Sequence, residues 1–343
     1  MGGIPPLEDR FPRVALGTFP TPVEPLDFPD VPGELWVKRD DRTAERYGGN
    51  KVRKLEFILA EARRRGAGRL ITAGALGSHH ALATTLYGRE LGFDVTLVLS
   101  PQPPDEKVRS VLRRLVALGA EIRCVPRLEF IPVGLSVGRL FYLPDRPFVV
   151  PPGGSSVRGV MGYVQAAREL TEQIHAGEVP RPDWVHVACG TMGTAVGLAV
   201  GFAMAREPIQ VSAVRVVAPV VAHRTALRRL VRATLRALGS KGEAPSVKEV
   251  MARIHLDKER LGSGYGRPTP EGGRATELFQ EAGLALDPTY TAKAAAGFLH
   301  RVRRSPDDVH LFWQTLSHGL PEVEGSHTLP EGLPHPVRSA LEG

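Results

Sequence analysis

The chain is poor in cysteine, in aromatic residues and in long apolar runs. Its two cysteines among 343 residues, Cys124 and Cys189, allow no disulfide framework and match no zinc-ligand spacing, so reduced, mostly structural thiols are expected. No stretch reaches the ~18 consecutive apolar residues of a membrane span, and no membrane partner is expected. The start, Met1-Gly2-Gly3-Ile4-Pro5-Pro6, lacks the charged-then-apolar order of a secretory signal, so the chain reads as cytoplasmic. The histidines follow no ligand pattern: His79 and His80 are adjacent rather than three or four apart. Only one of that pair is expected to face a given site, and no metal is expected. Internal repeats and low-complexity segments are absent as well.

What is present begins with charge. A formal charge of +7 raises the question of nucleic acid, because clustered Lys and Arg can bind phosphate backbones. The densest cluster is Arg224, Arg228, Arg229, Arg232 and Arg236. It recurs at helical spacing opposite Ala226, Leu227, Leu230, Val231 and Leu235, the pattern of an amphipathic helix with a basic solvent face. No nucleic-acid motif accompanies it, so no nucleic-acid partner is expected.

Two local patterns carry chemistry. In Gly48-Gly49-Asn50-Lys51-Val52-Arg53-Lys54-Leu55-Glu56 a glycine-loosened turn precedes apolar residues at 52, 55, 58, 59 and 62, which predicts a helix with Arg53, Lys54, Glu56 and Arg63 largely on its other face. Lys51 falls in the first turn. An amine there feels the positive end of the helix dipole, and burial in a cleft lowers its pKa further, as a nucleophilic or base-acting lysine requires. Taken alone, the same lysine reads rather as a solvated helix start in a basic chain. The second pattern, Cys189-Gly190-Thr191-Met192-Gly193-Thr194-Ala195-Val196-Gly197, joins an apolar strand to a helix. Glycines let an anion approach the free N–H groups of the helix start, and Thr191 and Thr194 add hydroxyl donors. It lacks the Lys-Ser/Thr ending of a nucleotide loop and the dinucleotide glycine spacing. A phosphate cradle and a plain tight turn both satisfy it.

Together these motifs resemble the tryptophan-synthase-β type of pyridoxal-phosphate enzyme, and within it the D-cysteine desulfhydrase and 1-aminocyclopropane-1-carboxylate deaminase group. Lys38-Arg39-Asp40-Asp41 followed by GGNKVRKLE is similar to that group's sequence. So are Pro152-Gly153-Gly154-Ser155 with Gly159, Gly162 and Tyr163; Gly264-Tyr265-Gly266; and Asp287-Pro288-Thr289-Tyr290-Thr291-Ala292-Lys293-Ala294. The resemblance implies pyridoxal 5'-phosphate as cofactor, its aldehyde held by Lys51 and its phosphate by Gly190, Thr191, Met192, Gly193 and Thr194. Asn50, Lys54, His79, Cys189, Tyr290 and Thr315 complete the implied cofactor-binding set. Tyr290 would lie beside the ring and Thr315, in Phe312-Trp313-Gln314-Thr315, would face the ring nitrogen. Ser78 would meet the substrate carboxylate, and Tyr265 the substrate; with Lys51, these and Tyr290 form the implied catalytic set.

The sequence also departs from that group. After the second strand the group reads Ser-Asn-x-Thr-Arg-Gln, whereas this chain has Ser78-His79-His80-Ala81-Leu82-Ala83. Imidazole at 79 still hydrogen-bonds but is bulkier and titrates near neutrality. The deaminase branch carries an acid after the tyrosine equated with Tyr290, and here Thr291 stands there. A neutral threonine at 315 makes a weaker electron sink than a carboxylate would, which favours expulsion of a β-leaving group. The expected reaction is elimination from a small amino acid, D-cysteine giving hydrogen sulfide, pyruvate and ammonia, with Tyr265 or Tyr290 protonating the leaving group. Cyclopropane-ring deamination, D-serine or other D-amino-acid lyase activity, and cofactor binding with little catalysis are the alternatives.

The order of elements implies an α/β fold. Helix 51–65, strand 70–73, helix 81–91, strand 95–99, helix 105–118 and strand 121–125 alternate, which demands a parallel sheet with right-handed crossovers. After a proline-rich transition at 147–154 come helix 157–174, strand 184–188, helix 194–206, strand 211–217 and helix 224–238. Helices 270–282 and 290–302 and strand 309–313 follow. Two lobes are expected, each an open, mostly parallel sheet flanked by helices: residues 1–48 with 152–343 as a large cofactor-binding domain and 49–151 as a small one. The cofactor is expected in the cleft between them, at strand carboxyl ends, and the resemblance implies a homodimer.

Overall fold

The computed structural model describes residues 10–239, 244–323 and 329–342. The chain opens with β1 (Val23–Pro25) and β2 (Glu34–Arg39). It continues through α1 (Asn50–Arg64), β3 (Arg69–Ala75), α2 (His79–Glu90), β4 (Asp94–Ser100), α3 (Glu106–Ala117), β5 (Glu121–Cys124), α4 (Ile131–Phe141) and β6 (Pro147–Val149). Strands β3 to β6 form a wholly parallel four-stranded sheet in the order β5-β4-β3-β6.

The second half runs α5 (Val157–His175), β7 (Trp184–Cys189), α6 (Gly193–Met204), β8 (Gln210–Arg215), α7 (Arg224–Leu238), α8 (Val247–Arg253) and β9 (Ile254–Asp257). It closes with α9 (Pro270–Glu281), α10 (Thr291–Arg304), β10 (Val309–Gln314) and α11 (His335–Glu342). These strands join the first two in a six-stranded sheet, β1-β2-β10-β7-β8-β9, parallel except for the β1–β2 pair. The fold is therefore α/β with two mostly parallel sheets flanked by helices. Helices cover both faces, so central strands are apolar throughout rather than alternating: Leu70, Ile71, Leu97, Val98 and Leu99 are all buried.

Helix α7 matches its sequence pattern. Leu227, Val231, Leu235 and Leu238 are buried while its five arginines are exposed. Helix α1 does not. Arg53, Lys54 and Glu56 are as buried as Val52 and Leu55, and the exposed part of the helix is confined to its end, at Arg63 and Arg64. Arg53 is covered by α5, Glu56 accepts from the N–H groups of Leu16 and Gly17 at 3.0 and 3.3 Å, and Lys54 turns to a cavity. A Cβ on Gly162 of α5 would stand 2.1 Å from the Arg53 carbonyl oxygen, so only a glycine permits this separation of the two helices.

Arg53 is closed in a network of buried charges. Arg53 donates to Asp40 at 2.7 and 2.9 Å and to Glu169 at 2.8 Å, Lys38 reaches Glu169 at 2.6 Å, and the Tyr163 hydroxyl donates to Asp40 at 2.7 Å. Burial alone would raise the Glu169 carboxyl, but Arg53 and Lys38 pull it down to about 2. The network ties β2 and its following turn, α1 and α5 together. Several elements escape the sequence reading: β1, β2, β6 and α11, the short α8–β9 unit at the sheet edge, and α4, whose Val133, Val137, Leu140 and Phe141 face solvent.

Candidate active site

Every expected site residue except Cys189 lines one cavity of about 550 Å³ between the two sheets. Cys189 ends β7 with its side chain in the apolar core, where burial raises the thiol to about 12. The cavity sits at the carboxyl ends of β3, β7 and β10, the location the parallel topology favours for ligands.

Lys51 is placed by the start of α1. Gly49, at φ 91°, forms its N-cap, and the Asn50 N–H donates to the Thr315 carbonyl just beyond β10 at 3.1 Å. The Lys51 amine donates to Asn50 Oδ1 at 2.5 Å, and Asn50 Nδ2 reaches Thr194 Oγ1 at 3.4 Å. Burial lowers the amine to about 8, against a weaker opposing pull from Asp287. Lys54, one turn on, is 3% exposed and donates to the Gly153 carbonyl at 3.1 Å. Burial, and then the neighbouring Lys51, hold it well below its ordinary value.

Beside these amines lies the start of α6. Met192 adopts the left-handed conformation, φ 69°, as its N-cap. Ser155 Oγ accepts from the Gly193 N–H at 3.2 Å and meets Thr191 Oγ1 at 2.7 Å. A Cβ on Gly193 would stand 2.7 Å from Ser155 Oγ and 3.3 Å from the Lys54 amine. The turn is thus a concave group of N–H and hydroxyl donors with a lysine at its edge.

Other parts of the wall carry neutral donors. The Tyr265 and Tyr290 hydroxyls are hydrogen-bonded, with their rings edge to face. Burial raises both phenols, so both keep their protons at neutral pH. Tyr290 is fixed by Asp287, whose carboxylate accepts from the N–H groups of Thr289, Tyr290 and Thr291 and from Thr291 Oγ1 at 2.6 to 3.1 Å. Ser78 accepts from the Ala81 N–H at 3.2 Å as the N-cap of α2. His79 and His80 both line the cavity, which corrects the expectation that only one would. They open the first turn of α2, where His79 bonds the Tyr47 hydroxyl at 2.5 Å and His80 bonds Thr72 at 3.0 Å. Burial lowers both imidazoles, so they are neutral at pH 7.

Some wall residues carry no role in the sequence reading. Ser155 and Asp287 stand inside recognised motifs but read there only as pattern. Leu128, Ile131 and Pro132 of the α4 region have no sequence signal, because they are apolar residues outside any helical or strand period.

The comparisons decide the family. Residues 14–313 match the model described as "Pyridoxal-phosphate dependent enzyme". The chain belongs to that family. Within it, the chain is 36% identical over 311 residues to a D-cysteine desulfhydrase of Serratia proteamaculans, covering 87% of this chain and 91% of that one. It is 37% identical over 318 residues to a nocardicin C-9' epimerase of Nocardia uniformis subsp. tsuyamanensis, covering 89% and 93%. Among solved structures, an ACC deaminase homologue superposes with a TM-score of 0.75 at 30% identity, over 90% of this chain and 93% of that one. This protein is thus a pyridoxal-phosphate-dependent enzyme of the ACC deaminase and D-cysteine desulfhydrase group. Its cofactor is pyridoxal 5'-phosphate, and the cavity suits it: a free amine for the aldehyde and, at Gly193, a donor-lined hollow for the phosphate. No helix of the described residues is long and apolar enough to cross a membrane.

Proposed function

We propose that this enzyme catalyses β-elimination from a small amino acid, with D-cysteine converted to hydrogen sulfide, pyruvate and ammonia with uptake of water. The observation that carries the reading is the Lys51 amine, held near neutrality, sharing one cavity with the hydrogen-bonded Tyr265–Tyr290 hydroxyls. In this reading Lys51 holds the cofactor aldehyde and the turn Gly190–Thr194, with Lys54, holds its phosphate. When bound, the cofactor supplies the electron sink that makes the substrate α-carbon acidic. Lys51 takes the α-proton, Ser78 orients the carboxylate, and the tyrosine pair delivers a proton to the departing sulfur. Thr315, a neutral hydroxyl lining the same cavity, leaves the sink weak, which favours prompt loss of the β-substituent. In this reading residues 49–151 form the small lobe and residues 1–48 with 152–343 the large cofactor-binding one.

The similarity to a nocardicin epimerase supports a second reading. In that case Lys51 and the tyrosine pair exchange protons on opposite sides of the α-carbon and no bond to the β-substituent breaks. Purified, cofactor-loaded enzyme offered D-cysteine, L-cysteine, D-serine, β-chloro-D-alanine and 1-aminocyclopropane-1-carboxylate in deuterated water separates the two. Sulfide and pyruvate from D-cysteine support elimination; deuterium uptake with inversion and without pyruvate replaces it by epimerisation.

A further inference from the structure

A second cavity, of about 760 Å³, lies at the β9 edge of the large sheet between α7 and α10. Its walls carry Arg215, Arg224, Lys258, Arg301 and Arg304, and no carboxylate among the described residues pairs with any of them. The two acids on the rim, Asp257 and Glu259, are both engaged by Arg260, at 3.3 and 3.2 Å. Arg215 lies half-buried, and its Nε is enclosed without a hydrogen-bond partner. Convergent, unneutralised guanidinium groups repel one another and present forks that match phosphate oxygens. The same segment serves both cavities. Arg215, His223 and Arg224 line the basic one, whereas Val217, Ala218 and Val221 between them line the catalytic one.

We propose that this cavity binds a small soluble anion carrying two or more phosphate groups, and that the anion, bridging Arg215 and Arg224, pins both ends of the segment that walls the catalytic cavity. The concavity suits a small molecule, whereas a nucleic-acid backbone would engage the outer arginines of α7, Arg228, Arg229, Arg232 and Arg236, which do not line it. The site goes beyond the elimination reading and does not depend on it.

The test uses holoenzyme, whose phosphate turn is already filled by cofactor, titrated calorimetrically with inorganic pyrophosphate at constant ionic strength. Saturable one-to-one binding is expected, weakened about tenfold or more in Arg224→Gln/Arg304→Gln. Both residues are exposed, so that variant should fold; Arg215→Gln provides an independent second variant. The outer-face variant Arg228→Gln/Arg232→Gln should bind as wild type, and amide hydrogen exchange at residues 216–223 should slow when pyrophosphate is present. Absence of saturable binding, an equal loss in the outer-face variant, or unchanged exchange at 216–223 would overturn the proposal.

Discussion

Arg53 and Lys54 are neighbours in sequence and almost equally withdrawn from water, at 2% and 3% exposure, yet they point about 100° apart around α1 and meet opposite surroundings. Arg53 enters a network in which two carboxylates balance it and Lys38. Although burial opposes its charge, Asp40 and Glu169 hold the guanidinium well above its ordinary value. Lys54 and Lys51 face the cavity, where their hydrogen-bond acceptors are a carbonyl and an amide oxygen, and burial drives both amines down. The difference teaches that partners, not depth, decide the protonation of a buried cation. One side of the helix is an ion cluster that holds elements together; the other is a store of uncompensated amines available for an aldehyde and a phosphate.

The largest effect should come from the open side. Lys51→Ala should lower activity by about a thousandfold or more and abolish the visible absorbance of bound cofactor. Its melting temperature should stay at or above wild type, because an uncompensated buried amine has been removed. A variant that keeps the absorbance and is reduced by borohydride at a different lysine would refute the assignment. On the closed side, Arg53→Met leaves Asp40 without its cation and Glu169 with Lys38 alone, and should cost about 3–5 kcal/mol in urea unfolding. The matching Lys54→Met should stay within about 1.5 kcal/mol while weakening cofactor binding. Equal losses from the two would erase the distinction between the two sides.

Gly193→Asp places a carboxylate among the donors of the α6 start and should weaken cofactor binding about tenfold or more. Unchanged affinity in a folded variant would move the anion site elsewhere. The smallest effect is a pH profile. With the Lys51 amine lowered to about 8, cofactor loading of the apoprotein should accelerate about tenfold from pH 7 to 9, with its midpoint near 8. Between about 8 and the ordinary 10.5 the unfolded chain holds a proton that the folded chain lacks, so this lysine's contribution to apoprotein stability rises with pH across that window. A loading midpoint above 10 would mean that the amine is not desolvated.

Much of this was legible beforehand, for reasons that particular residues make plain. Leu227, Val231, Leu235 and Leu238 recur at helical spacing, so α7 was expected at 224–238 and spans Arg224–Leu238. The alternation of helices and apolar strands likewise imposed the parallel sheets. The closed network was not legible, because Arg53 reads as part of a solvent face until α5 is known to cover it. Helix α4 was hidden for the opposite reason: its apolar Val133, Val137, Leu140 and Phe141 point outward. In the site, Lys51 and the glycine-rich turn stood out through their own chemistry. Asp287 did not, since its work is to accept backbone N–H groups, and that becomes visible only once the α10 start is folded.

The close seating of Gly162 against the Arg53 carbonyl bears on how this scaffold can change its chemistry. The seating of α1 on α5 is set there by backbone thickness, so no choice of side chain at that contact can retune how the amine-bearing helix lies against α5. Divergence of reaction or substrate then falls to walls built from exchangeable side chains, such as His79, Thr315, Leu128, Ile131 and Pro132. A library confined to those positions samples new pockets around a fixed reactive core, whereas one that includes residue 162 mostly samples misfolded chains.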